Sequence, residues 1–221
     1  WLEGENGTSD STGDLIPGAI VNGVGFAPAV KGQGFVFNVT NGYITNSTPM
    51  LANISNSYTM EFWAWPKAAR ASTSETAGGT PGTSNQRYAI FPNSGPDNNV
   101  GSGVSVGNNG VSIFENGNLY IPSLLVYDTP ITHWTHVAVV YSNRQPSLYL
   151  NGVLVRVGLT STRNSSPSTS LGEQGFNYGY YSGMLDEVSI YNRALNASEV
   201  QAIYLAGYNG KCPLPPSFMV Q

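Results

Sequence analysis

The sequence predicts an all-β domain, a two-sheet antiparallel sandwich closed by one short C-terminal helix, and three observations carry that reading. Asn-Gly pairs recur at Asn22-Gly23, Asn41-Gly42, Asn109-Gly110, Asn116-Gly117 and Asn151-Gly152, each between short runs rich in β-branched and aromatic residues, which is the hairpin pattern. Apolar and polar residues alternate along 58–65, 135–141 and 147–150, the period of a strand with one buried face. The chain has 221 residues, and so many strands in a single open sheet would have to curl or split, so two packed sheets fit better than one.

Taken in order, the run 58–65 (Tyr-Thr-Met-Glu-Phe-Trp-Ala-Trp) is the first long strand. The segment 66–86 that follows has no period and little to bury. It reads as a long mobile loop, either a binding loop or a tolerated insertion. Residues 135–141 form the next long strand, and 147–150 lead into the Asn151-Gly152 turn. Only one stretch reads as helix: Asn196-Ala197-Ser198-Glu199 has capping-box spacing, Val200, Ile203 and Tyr204 share one face, and Gly207 ends it. The domain is therefore expected to span 1–207, with the proline-rich segment 208–221 as a linker toward a following module.

Composition removes several function classes. There are 9 Lys+Arg against 13 Asp+Glu, for a formal net charge of −4 and no basic run, so the electrostatic footprint of a nucleic-acid binder or a membrane-surface binder is missing. Charged residues make up only 10% of the chain, where about 25% is usual. A surface solubilised by Asn, Ser, Thr and Gly instead points to a secreted or cell-surface protein. No apolar stretch is long enough to insert in a membrane. Cys212 is the only cysteine, which excludes an internal disulfide and a cysteine-based metal site.

Four blocks in order carry a family resemblance: 30–37 (Val-Lys-Gly-Gln-Gly-Phe-Val-Phe), 58–66, then 134–141 with Leu148-Tyr149-Leu150-Asn151-Gly152, and 183–195, which contains Asp186-Glu187-Val188-Ser189-Ile190-Tyr191. Together they resemble the concanavalin A-like lectin/glucanase superfamily in its laminin G-like, pentraxin-related branch. The resemblance covers residues 1 to about 207. It implies a jelly-roll sandwich, and it leaves function open between glycan-binding modules, adhesion domains and passive spacers, since fold does not fix function. Similar junctions after the closing helix imply a bacterial multi-module surface protein.

Enzymatic constellations are weak. Glycosidases flank one bond with two carboxylates, but Glu61 alternates with Trp63 and Trp65, and the adjacent Asp186 and Glu187 point to opposite faces of a regular strand. His133 and His136 read as turn and strand residues for which the sequence places no acid nearby. The expectation is a non-catalytic module. The resemblance implies a structural Ca²⁺ held by Asp10 and Asp186 with the Gly42 carbonyl; the alternative is an Asx turn at Asp10 and amide capping by Asp186. For carbohydrate or glycoconjugate binding, sugar CH faces stack on aromatic rings with amides alongside. The candidates are Asn177, Tyr178, Tyr180 and Tyr181 on one loop, with Trp65 beside the segment 66–86; Trp63 and Trp134 read as core.

Overall fold

Alternation delivers every second residue of a strand to the same face, and this builds the sandwich interior. In the computed structural model, which describes residues 2–13, 18–38, 41–45, 47–95, 98–172 and 179–209, Tyr58, Met60, Phe62 and Ala64 are buried in one core with Val137, Val139 and Tyr141. Register sets the packing: Val137 lies opposite Phe62, and Val139 opposite Met60.

The strands in chain order are β1 (Ala19–Val21), β2 (Gly25–Pro28), β3 (Gln33–Phe37), β4 (Tyr43–Thr45), β5 (Tyr58–Pro66), β6 (Tyr88–Ile90), β7 (Asn99–Gly107) and β8 (Gly110–Asn116). They continue with β9 (Ser123–Asp128), β10 (Thr135–Ser142), β11 (Gln145–Leu150), β12 (Val153–Val157), β13 (Asn164–Pro167), β14 (Leu171–Gly172) and β15 (Gly183–Tyr191), followed by the helix α1 (Ala197–Ala206). One sheet has the order β12-β11-β10-β5-β15-β3-β2, and the other β1-β4-β14-β6-β7-β8-β9. All these pairings are antiparallel; β13 departs from the rule by pairing β7 in parallel.

The Asn-Gly turns divide into two kinds. Asn151-Gly152, with φ of 49° and 78°, closes the hairpin between β11 and β12 as a turn with both central residues left-handed. Asn143-Arg144 does the same between β10 and β11 with φ of 49° and 69°, without a glycine to signal it. Asn22-Gly23 and Asn41-Gly42 are not hairpins: β1 and β4 pair with each other in one sheet while β2 and β3 pair in the other. These turns carry the chain across the sandwich, and a local turn motif cannot show which sheet the next strand joins.

The segment 66–86 is also not the loose loop its composition suggests. Thr76 N–H donates to the Ser123 carbonyl (2.9 Å), Ile121 N–H to Gly79 O (2.8 Å), and Val126 N–H to Glu75 Oε1 (2.9 Å). Glu75 also pairs with Arg156 at 2.7 Å, and the buried Arg70 guanidinium with Asp128 at 2.5 Å. Gly103, Ser105 and Gly107 of β7 alternate with the core residues Val104 and Val106, so the outer face of this sheet is nearly flat. A Cβ at Gly107 would lie 2.3 Å from the Arg70 nitrogen. Backbone therefore lies directly on backbone, an attachment that hydrophobic periodicity does not register.

The closing helix forms as expected. The Asn196 side chain accepts from Glu199 N–H (3.0 Å), Glu199 Oε2 accepts from Asn196 N–H (2.8 Å), and Gly207 caps the other end. Val200 packs with Ala138, Val140, Tyr149 and Leu195 in a second small core on the outer face of the β5–β10 sheet.

Candidate functional site

The carboxyl ends of β3 and β6-side loops meet at one rim of the sandwich and enclose a cleft of about 770 Å³, a size suited to a small ligand. Its lining includes Asn38, Asn41, Asn85, Arg87 and Tyr180. Tyr180 is placed by a parallel bridge to Tyr88. This approach needs Gly179, whose φ is 128° and whose absent Cβ would fall 2.0 Å from the Gln86 carbonyl. Tyr180 is half-buried, so part of its ring lines the opening. The side-chain amides of the exposed Asn38, Asn41 and Asn85 make no hydrogen bond to any described residue.

Tyr181 borders the same cleft, but its side chain is turned inward. It is 1% exposed, its ring meets Phe37 edge-on at 5.5 Å, and its hydroxyl donates to the Met184 carbonyl (3.1 Å). Extended backbone sends neighbouring side chains to opposite sides, so of the Tyr180-Tyr181 pair one enters the core, and burial pushes its hydroxyl pKa well above 10. Little of Tyr181 is therefore presented to the cleft that it borders. Asn177 and Tyr178 lie outside the described residues. Trp65 sits on the outer face of the other sheet, where its ring packs against Trp134 at 6.0 Å and its Nε1–H donates to Thr132 O (3.1 Å). The Lys67 ammonium lies 3.3 Å from its ring centroid, so one face already carries a cation–π contact. Trp65 and Tyr180 are thus not gathered into one site.

The acidic candidates are placed as follows. Asp10 accepts from Thr12 N–H (3.1 Å) and Thr12 Oγ1 (2.8 Å), the Asx turn that was the alternative to a metal role. Asp186 is fully buried and accepts from Lys31 N–H and Glu187 N–H, both at 2.8 Å. The N-terminal segment links them, since Leu2 bridges both Val188 and Asp10. Gly42 is elsewhere, with its carbonyl 2.8 Å from the Cβ position of Gly172 in the opposite sheet. Among the described residues no group of three or more His, Cys, Asp or Glu is gathered as a metal site.

Two further features were not legible in the sequence. His136 Nε2 lies 3.0 Å from Glu61 Oε2, both side chains completely buried, so the histidine does have an acid partner on the next strand. β15 is also irregular: Asp186 pairs with Trp63 but Ser189 with Glu61, one residue too many, and Glu187 takes φ of 53°. This bulge buries both Asp186 and Glu187, where a regular strand would have split them across the sheet.

Two stacked sheets in this order, a closing helix and a polar cleft at the rim define a concanavalin A-like jelly roll. A laminin G family model, described as the concanavalin A-like lectin/glucanases superfamily, matches residues 38–201, and the chain belongs to that family. Domain 4 of AbnA, a GH43 extracellular arabinanase from Geobacillus stearothermophilus solved in complex with arabinotriose, is similar at 24% identity with a TM-score of 0.59, covering 89% of this chain and 92% of that one. The binding domain of botulinum neurotoxin DC in complex with SialylT aligns at 11% identity and a TM-score of 0.58, over 86% of this chain and 46% of that one. A Trypanosoma rangeli sialidase mutant with trans-sialidase activity aligns at 19% identity and a TM-score of 0.55, over 86% of this chain and 29% of that one. The chain thus spans under half of the last two proteins, and at these identities the likeness shows the fold. No curated relative matches the sequence. No helix among the described residues is long and apolar enough to cross a membrane.

Proposed function

We propose that this chain is a non-catalytic, secreted carbohydrate-binding or adhesion module that takes a saccharide in the rim cleft beside Tyr180. The observation that carries the reading is the cleft itself: an aromatic ring at the opening and three amide side chains with donors and acceptors to spare. Such a lining suits pyranose CH faces and hydroxyls. Among the described residues of its lining there is no Asp or Glu, the pair that glycoside hydrolysis uses. The arabinanase domain solved with arabinotriose and the toxin binding domain solved with SialylT lend support, as proteins of the same fold that meet glycans.

A structural Ca²⁺ near the N-terminal segment is part of the proposal. Its support is that Leu2 carries Asp10 to the strand bearing Asp186, which supplies hard oxygen donors of the type this ion takes. An ion bound only by the native state raises stability by linkage. Melting in Ca²⁺ and in EDTA tests it: the proposal expects a lower midpoint in EDTA, reduced in Asp186→Asn, and equal midpoints contradict it.

A second reading, a protein-interaction module, is favoured by the sheet edge at β12, where Val153 is 61% and Leu154 48% exposed beside Leu205 of α1 at 69%. Edges of this kind accept further strands. Binding to an oligosaccharide panel separates the two readings. Saccharide binding lost in Tyr180→Ala supports the cleft; no saccharide binding, with association that Leu154→Lys abolishes, supports the edge.

A further inference from the structure

We infer that the cleft selects a carboxylated sugar, with the Arg87 guanidinium as its anion receptor; this rests on the carbohydrate reading above and names the ligand class. Arg87 follows the anchored segment and enters β6, and its position is fixed by its backbone. Its N–H donates to Ser105 Oγ (2.9 Å), and its carbonyl accepts from Val106 N–H (2.7 Å). The guanidinium uses one nitrogen internally, Nη1 donating to the Gln86 carbonyl at 2.8 Å. Nε and Nη2 have no partner among the described residues, and Nε is shut away from solvent.

Nη2 is therefore the nitrogen left to donate a charge-assisted bond to a carboxylate oxygen. Three of the five other arginines are neutralised: Arg70 by Asp128, Arg156 by Glu75 and Arg193 by Glu199. Among the described residues Arg87 has no such acid, and the described lining of the cleft contains none. The fold thus retains, on the lining of the cleft, a guanidinium without a counter-charge among the described residues. Asn38, Asn41 and Asn85 surround it with amides for hydroxyls, and Tyr180 supplies the ring. Carboxylate, hydroxyls and an apolar ring face together describe a uronic or sialic acid residue better than a neutral sugar, which would leave the guanidinium without a counter-charge.

The test is calorimetric titration of the chain with oligogalacturonate, oligoalginate and sialyllactose, each paired with its neutral methyl ester. Neutral oligosaccharides including arabinotriose complete the panel. The expected result is that at least one acid binds tenfold or more tighter than its ester. Arg87→Gln then erases that preference, while Arg87→Lys, which keeps the charge, retains part of it. Melting of each variant confirms that it is folded. Equal affinity for acid and ester in every pair, or a preference untouched by Arg87→Gln, overturns the inference. If only neutral sugars bind, and Tyr180→Ala abolishes this, the carbohydrate reading stands and the acidic class fails; if neither acids nor neutral sugars bind, both fail.

Discussion

Single residues set the pH response. Glu115 points into the sandwich interior, where Ser161 Oγ (2.5 Å) and Tyr120 Oη (3.3 Å) donate to its Oε2, and Tyr58 and Tyr141 stack nearby at 4.7 Å. Burial outweighs these bonds and pushes its carboxyl from 4.5 up to about 6. The native state therefore holds this proton more tightly than the unfolded chain does. The stabilisation is fully present below about 4.5 and is lost as pH rises through about 6, which amounts to about 2 kcal/mol at neutral pH. Urea unfolding of wild type should show greater stability at pH 5 than at pH 7 from this group, and Glu115→Gln should flatten that slope. The Glu61–His136 pair behaves differently, because removing one partner leaves a charge or an unsatisfied donor buried. His136→Ala is expected to cost about 3–5 kcal/mol, read as a drop in the unfolding midpoint. Neither group was legible as part of a cluster, since each meets its partners through strand register and not through spacing along the chain.

At the level of elements, legibility followed the range of the interaction. The helix was readable because its cap is an i to i+3 device: Asn196→Ala should cost about 1 kcal/mol, measured by denaturant unfolding. The long strands were readable from their period, whereas the bulge at Glu187 and the sheet crossings at Asn22-Gly23 and Asn41-Gly42 depend on the far side of the fold. Tyr180 and Tyr181 show both sides of this. Adjacency in extended backbone requires that one face inward, but composition alone does not say which. Segment 66–86 concealed the most, because it is held largely by glycines on β7 and by polar side chains. Its anchoring places Arg87, and so the cleft depends on it. Gly107→Val would drive a side chain into the Arg70 backbone, and thermal melting should show a loss of at least 1 kcal/mol with reduced ligand affinity.

For the whole molecule, the two sheets bury one continuous core and leave polar chemistry at the rim, where loops from both sheets converge. That division is what lets a jelly roll vary its ligand without altering its interior. It also separates the acids near the N-terminal segment, proposed to serve stability, from the cleft, proposed to serve recognition. The most direct test is titration of wild type and Tyr180→Ala with one oligosaccharide panel, alongside melting curves. Saccharide binding by the wild type that disappears in a folded Tyr180→Ala variant is the predicted result. A wild type silent to every saccharide, or a Tyr180→Ala variant that binds as well as the wild type, would contradict a recognition site in this cleft.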